Sequence, residues 1–288
     1  MKPSSAFFTA FMALLPATAG AQQSPQPVAK DATVFSYKLH YLEAGRGEPV
    51  ILLHGTGGEG ARWMPTIQGL AGSFRVIAPD QIGFGQSDKP LTIYHTGVFA
   101  GFLAQFMKSI GVAKATIMGQ SMGAGVALYM AVHHPEMVER LVLVDGGGYR
   151  SASDPPPAAP NWHNRQIANA GTLEESREYM EKLIYDHSLV TDELVEHNLE
   201  LRLRSAFTIE SMQTANERGL GGVTEAQVRG IKVPTLLVWG ANDPLSSPAN
   251  ADSSMARSRT PAKSCSTRPA TTRSWSTRIS SISWCWIS

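Results

Sequence analysis

The 288-residue chain is poor in several things, and each lack narrows what it can be. It has two cysteines, Cys265 and Cys285, and no CxxC pair or zinc-type spacing. That excludes a dithiol redox centre, a zinc module and a disulfide-stapled scaffold. Lys and Arg number 25 against 24 Asp and Glu, and aromatics are 8% of residues. No charge run forms a nucleic-acid surface, so no nucleic-acid partner is expected. Two further absences are local. No histidine occurs after His197, and residues 253–288 contain no Leu, Val, Gly, Asp or Glu.

Among what is present, the N-terminus carries the three parts of a secretory signal. Lys2 supplies charge, Phe7 to Leu15 an apolar run, and Ala19-Gly20-Ala21 a small-residue cleavage site. This predicts cleavage after Ala21 and export to the periplasm or beyond. The run is too short for an ordinary transmembrane helix, so stable membrane insertion is not expected. The alternative use of the same run is a retained anchor. Residues 22–31 read as a polar, proline-containing tether.

From residue 32 the pattern alternates between strand and helix. Val34 to Leu42 reads as a strand, Val50-Ile51-Leu52-Leu53 as a strand buried on both faces, and Phe74 to Ala78 as another. Val98 to Ile110 predicts an amphipathic helix, Lys114 to Met118 a strand, Ser121 to His134 a helix and Leu141 to Val144 a strand. Such alternation implies a mostly parallel sheet with helices on both faces. Residues 151–229 break it with a mainly helical stretch, read as a cap inserted after the sixth strand. The alternation resumes at Pro234 to Gly240. The predicted core is therefore 32–150 and 230–252.

Three stretches carry chemistry. Gly119-Gln120-Ser121-Met122-Gly123 lies between a predicted strand and a predicted helix, the context of a nucleophile elbow. A serine hydroxyl attacks well only when a neighbouring base takes its proton. His54-Gly55-Thr56-Gly57-Gly58 follows a buried strand, and such a loop aims backbone N–H groups at a developing oxyanion. Thr56, with Gly57 as the fallback, and Met122 are the expected donors, and His54 is expected to hold the loop rather than act as a base. Asp243, after the strand ending at Gly240, is the candidate acid, with Asp145 as its rival. Ser, then acid, then His is the order this architecture uses. In the cap, Trp162, His163 and Tyr185 are candidate pocket residues. Nothing implies a metal or other cofactor.

These residues, over 32–252, resemble the α/β-hydrolase family. Asp80-Gln81-Ile82-Gly83-Phe84-Gly85-Gln86-Ser87 is also typical of it and reads as a structural turn. The Ser-Met-Gly elbow is most similar to carboxylesterases and to meta-cleavage-product (carbon–carbon bond) hydrolases. The resemblance implies a hydrolase of small-molecule esters working through an acyl-enzyme. The alternatives are a carbon–carbon bond hydrolase and an inactive binding protein on the same scaffold. For the carbon–carbon reading, Arg165, Arg202 and Arg204 are candidates to grip a substrate carboxylate. At that density they read rather as a solvated face.

The tail departs from the family. Residues 253–288 hold eleven Ser, five Thr, five Arg and three Trp, so the closing strand and helix are expected to be missing or disordered. A shifted reading frame explains the composition. If the first two bases of each codon are the last two of a codon in the neighbouring frame, Cys265 and Ser266 permit aliphatic residues. Ala270 then permits Gly and Thr271 permits His. Ser274-Trp275-Ser276 permits Gln-Leu-Glu, and Trp284 to Ile287 gives a largely aliphatic run ending in Asp. The recovered histidine falls 28 codons after Asp243, as the family's order implies. The frame would shift between about Ser253 and Ser264. Thr272 cannot yield the Trp that usually follows the histidine in the carbon–carbon hydrolases, which favours an esterase.

Overall fold

A computed structural model describes residues 25–146 and 171–240, together with the backbone of 263–267. The first two strands are a hairpin, β1 (Val28–Val34) and β2 (Tyr37–Ala44), paired antiparallel from Val28–Glu43 to Val34–Tyr37. The sequence pattern gave one strand here and a tether reaching residue 31. The missed turn is Phe35-Ser36, with φ of 50° and 69°. A two-residue hairpin turn of this type needs positive φ at both positions, usually supplied by Asn and Gly. Here the Phe35 and Tyr37 rings lie 5.2 and 6.1 Å from Phe102, and that contact helps offset the backbone cost.

The remaining strands are β3 (Pro49–Leu53), β4 (Arg75–Pro79), β5 (Ala115–Gln120), β6 (Val138–Val144), β7 (Thr235–Gly240) and β8 (Lys263–Thr267). The sheet order is β1-β2-β4-β3-β5-β6-β7-β8, parallel from β4 onward. Around it lie α1 (Met64–Leu70), α2 (Thr96–Ser109) and α3 (Met122–His133). Strand alternation splits the core between the two faces. Ile51 and Leu53 join Phe99, Leu103 and Val126 on one side, while Val50 and Leu52 join Trp63 and Ile67 on the other. Burying each such side chain is worth about 1.5–3 kcal/mol, which is why β3 tolerates no polar position.

After β6 the chain leaves the sheet. Its described part contains α4 (Leu173–Leu183), α5 (Asp192–Arg204), α6 (Ala206–Glu217) and the short α7 (Glu225–Arg229). These helices occupy the described part, 171–229, of the stretch read as a cap. Thr172 and Thr224 begin α4 and α7 with reciprocal capping boxes.

The closing strand corrects an expectation. Composition argued that it would be lost, yet β8 pairs in parallel with β7 from Leu236–Lys263 to Gly240–Thr267. Ladder bonds use backbone groups only, so Ser, Cys and Thr can occupy an edge strand that lacks aliphatic side chains. The final helix falls outside the described residues.

Candidate active site

β3, β5, β6, β7 and β8 run parallel, so the loops that follow them gather at one edge of the sheet. Ser121 sits there at the junction of β5 and α3, with φ 53° and ψ −115°. A non-glycine residue at positive φ outside a hairpin marks stored strain, and it lifts this side chain clear of the strand. The glycines on either side are sterically required. A Cβ on Gly119 would lie 2.1 Å from the Gly123 carbonyl oxygen, and one on Gly123 would lie 2.3 Å from that of Leu53. The Ser121 amide donates to the Val144 carbonyl at 2.9 Å, which anchors the turn to β6.

The loop after β3 presses against this turn. A Cβ built on Gly55 would stand 3.3 Å from the Ser121 Cβ and 2.5 Å from the Gln120 Oε1. Gly57, at φ 70°, lets the chain reverse, and the Gly58 amide closes the turn on the Gly55 carbonyl at 3.1 Å. Thr56, Ser121 and Met122 are all partly buried.

His54 is fully committed to holding that loop. Its Nδ1 bonds the Gly55 carbonyl at 2.8 Å, and its Nε2 accepts the Gln81 amide at 3.0 Å. The ring is therefore the neutral Nδ1–H tautomer. Burial pushes its pKa down to about 4, against the opposing influence of the Gly55 hydrogen bond and of Asp80. With its lone pair already used, His54 is not available to deprotonate a serine.

Asp80 is structural as well. Its carboxylate accepts the Gly60 and Gln86 amides, each at 2.7 Å, while Gly85 at φ 50° leaves room for it. Asp145 has a similar task. With φ 44°, it accepts the Gly240 amide at 2.8 Å and donates its own amide to Val238 at 3.0 Å, tying the ends of β6 and β7. Asp243 lies three residues beyond β7, outside the described residues, as do Trp162, His163 and Arg165. Tyr185, expected in the pocket, is exposed on the surface after α4.

The cap covers the loop with residues that the sequence pattern did not single out correctly. The Arg202 Cγ stands 3.3 Å from a Cβ position on Gly57, and the Ile209 Cδ1 3.9 Å. Arg202 is only 3% exposed, and its guanidinium carbon lies 4.6 Å from the centre of the Tyr179 ring. Burial lowers its pKa and pushes that of Tyr179 up to about 12. Of the three cap arginines expected on a solvated face, Arg204 fits, being exposed and paired with Glu200, whereas Arg202 does not. The stripe Val195, Asn198, Leu201 and Arg202, all buried, was the available signal: it places the arginine on the inward face of α5. Beside it, the His197 Nε2 pairs with Glu59 at 2.8 Å, joining α5 to the loop. Among the described residues no group of three or more His, Cys, Asp or Glu could hold a metal ion.

A family model described as alpha/beta hydrolase fold matches residues 48–266. The chain is 30% identical over 231 residues to a 2-hydroxymuconate semialdehyde hydrolase of Pseudomonas sp. (strain CF600), covering 77% of this chain and 79% of that protein. It superimposes on the 2-hydroxy-6-oxo-6-phenylhexa-2,4-dienoate hydrolase of Rhodococcus sp. strain RHA1 with a TM-score of 0.72 and 25% identity, covering 84% and 90% of the two chains. A bacterial membrane phospholipase A shares the fold, with a TM-score of 0.71 at 23% identity over 83% of this chain and 78% of that one.

Proposed function

Because the chain belongs to the alpha/beta hydrolase fold family, we propose that it is built as an exported serine hydrolase that cleaves carboxylic esters. The observation that carries this reading is the strained Ser121, held between two glycines that nothing larger can replace and facing the loop at Gly55–Gly58. The Ser121 Oγ attacks the ester carbonyl while its proton passes to a base. The backbone N–H groups of Met122 and of Thr56 or Gly57 take the oxyanion, each such donor being worth roughly 3 kcal/mol. Collapse expels the alcohol, which takes up the proton, and water then releases the acid from the acyl-enzyme by the same steps in reverse order.

The base is the missing part. His54 is locked, and no histidine follows His197. We infer that it is encoded at codon 271 in the neighbouring frame, four codons after the end of β8, with Asp243 orienting it. Resequencing the source DNA across codons 253–271 tests this directly. An uninterrupted reading of the present frame, with no shifted product made, rejects it and leaves an inactive scaffold. In the frame-corrected protein a fluorophosphonate probe is expected to label Ser121, and turnover that survives Ser121→Ala rejects the serine mechanism.

A second reading is favoured by Arg202. A buried cation beside the oxyanion loop suits a substrate carrying its own carboxylate, as in the carbon–carbon bond hydrolases to which the chain is similar. Comparing p-nitrophenyl butyrate with a 2-hydroxy-6-oxo-hexadienoate separates the two. A higher kcat/KM on the dienoate, reduced in Arg202→Met, selects carbon–carbon cleavage.

A further inference from the structure

The mechanism above leaves one cation beside the oxyanion loop unused. Arg62 lies four residues after Gly58, in the short helical turn Gly60–Trp63. Its Cδ stands 3.2 Å from a Cβ position on Gly58, much as the Arg202 Cγ stands 3.3 Å from one on the adjacent Gly57. One arginine from the core and one from the cap thus meet neighbouring residues of the same loop. Both guanidiniums act on the buried Tyr179 phenol, and the Arg202 pKa is lowered by burial and also by Arg62. The Arg62 side chain makes no hydrogen bond or ion pair among the described residues. Water reaches it, yet the protein around it lowers its pKa through burial, so it lines a recess rather than the outer surface. The acids that act on the two arginines have other tasks. Glu59 pairs with His197 at 2.8 Å, and Glu175 accepts the Gly171 and Thr172 amides at 2.8 and 3.2 Å. By its spacing, Ser205 falls between Arg202 and Ile209 on the face of the cap that covers Gly57, and its hydroxyl is buried without a hydrogen-bond partner.

We propose that Arg62 is a specificity-determining residue: with Arg202 and the Ser205 hydroxyl it holds a carboxylate that the substrate carries beside its scissile ester, so that the site prefers half-esters of dicarboxylic acids. Two cations held together in a recess repel, and an anion between them relieves both the repulsion and the burial of charge. Each guanidinium fork offers parallel N–H groups, the geometry that a carboxylate accepts. The Ser205 hydroxyl supplies one further donor for the remaining lone pairs, and a buried polar group without a partner calls for a ligand. Arg62 is carried by the segment that follows the oxyanion loop directly, so one stretch of backbone reads both the ester carbonyl and the second acid group. The choice of half-esters rests on the ester reading; the anion site is read by binding alone.

The test uses the full chain carrying Ser121→Ala, so that turnover plays no part, and titration calorimetry with monomethyl glutarate and with the neutral dimethyl glutarate. The half-ester is expected to bind at least about tenfold more tightly than the diester. Arg62→Gln, checked by an unchanged melting temperature, is expected to bring the two ligands within about twofold of each other. Arg62→Lys, which keeps the charge but loses the fork, is expected to fall between the parent and Arg62→Gln. Equal affinities in the parent, or a preference for the half-ester that survives Arg62→Gln, overturn the assignment. Loss of both ligands to the same degree in Arg62→Gln also overturns it, by making Arg62 a support of the loop. In a frame-corrected chain with Ser121 restored, preferential binding of the half-ester without hydrolysis of either ester keeps the anion site and rejects only the ester reading.

Discussion

The two ends of the sheet are specified in different ways. At the centre, β3 and β5 and the turns after them fix nearly every atom. Their inward side chains are buried, the Gly119 and Gly123 positions exclude even a methyl group, and His54 has both ring nitrogens engaged. At the far edge, β8 runs Lys-Ser-Cys-Ser-Thr and is held by its backbone register on β7. The contrast is between a turn whose backbone leaves no room for a side chain at Gly119 or Gly123 and an edge strand defined by its backbone register on β7. If the base comes from beyond β8, as proposed above, such a site fails first at that edge.

Repairing the edge is the sharpest way to change that comparison. Substituting the neighbouring-frame sequence from about Ser253 onward is expected to raise kcat on p-nitrophenyl acetate by about 10^6, because the triad works as a unit. The chain as written is expected to retain only the roughly 10^3 to 10^4 over water that oxyanion donors and binding supply. Full activity in the unrepaired chain would transfer the base to another histidine. The repaired tail is also expected to sharpen the thermal melt, since aliphatic residues in β8 add burial at about 25 cal/mol per Å2. Identical melts before and after repair would show that the edge contributes nothing.

At the centre, Gly119→Ala is the change expected to cost most. A Cβ placed 2.1 Å from a carbonyl oxygen must move backbone on both sides of the elbow, so a loss of about 3 kcal/mol, near the upper end for overpacking, is expected. The same replacement at Gly101, where a Cβ meets no atom within 4 Å, is expected to be neutral or stabilising. Equal melting temperatures for the two variants would remove the distinction between a specified centre and a permissive periphery.

His54 links the centre to pH. The folded chain holds its pKa near 4, below the ordinary 6.5, so the unfolded chain binds more protons between those values. Its contribution to stability is present above pH 6.5 and is lost as pH falls toward 4, by up to about 3 kcal/mol. Urea melts across this range in the parent and in His54→Gln measure it, and an identical pH slope in both would exclude His54 as the source. The smallest effect is expected from Glu59→Gln. It breaks a pair to the half-exposed His197, and pairs of this kind contribute about 0–1 kcal/mol, so the melting temperature is expected to move by no more than a few degrees.

Much of this centre was legible in the sequence, because its constraints are local. The elbow glycines, the continuous apolar run of β3 and the strand-to-helix switch at Ser121 each leave a short motif. The β1–β2 turn was hidden because Phe35 and Ser36 adopt positive φ without glycine, supported by a ring on a distant helix. Arg202 was misread because charge argues for solvent, and only the spacing of its buried helix neighbours argues otherwise. β8 was missed because composition reports side chains, whereas its place depends on the partner strand.

The bond between Asp145 and the Gly240 amide has a consequence for how such a protein can diversify. Together with the Leu141 amide, which donates to the Pro234 carbonyl at 2.9 Å, it binds both ends of β7 to β6. The cap leaves and rejoins a frame closed without it, and doubling the length of a flexible excursion costs only about 0.6 kcal/mol. Lengthening, shortening or exchanging the segment between Gly146 and Pro234 can therefore alter what reaches Ser121 while the sheet beneath stays in register. New substrate ranges are open to this lineage by replacing a lid on an unchanged engine.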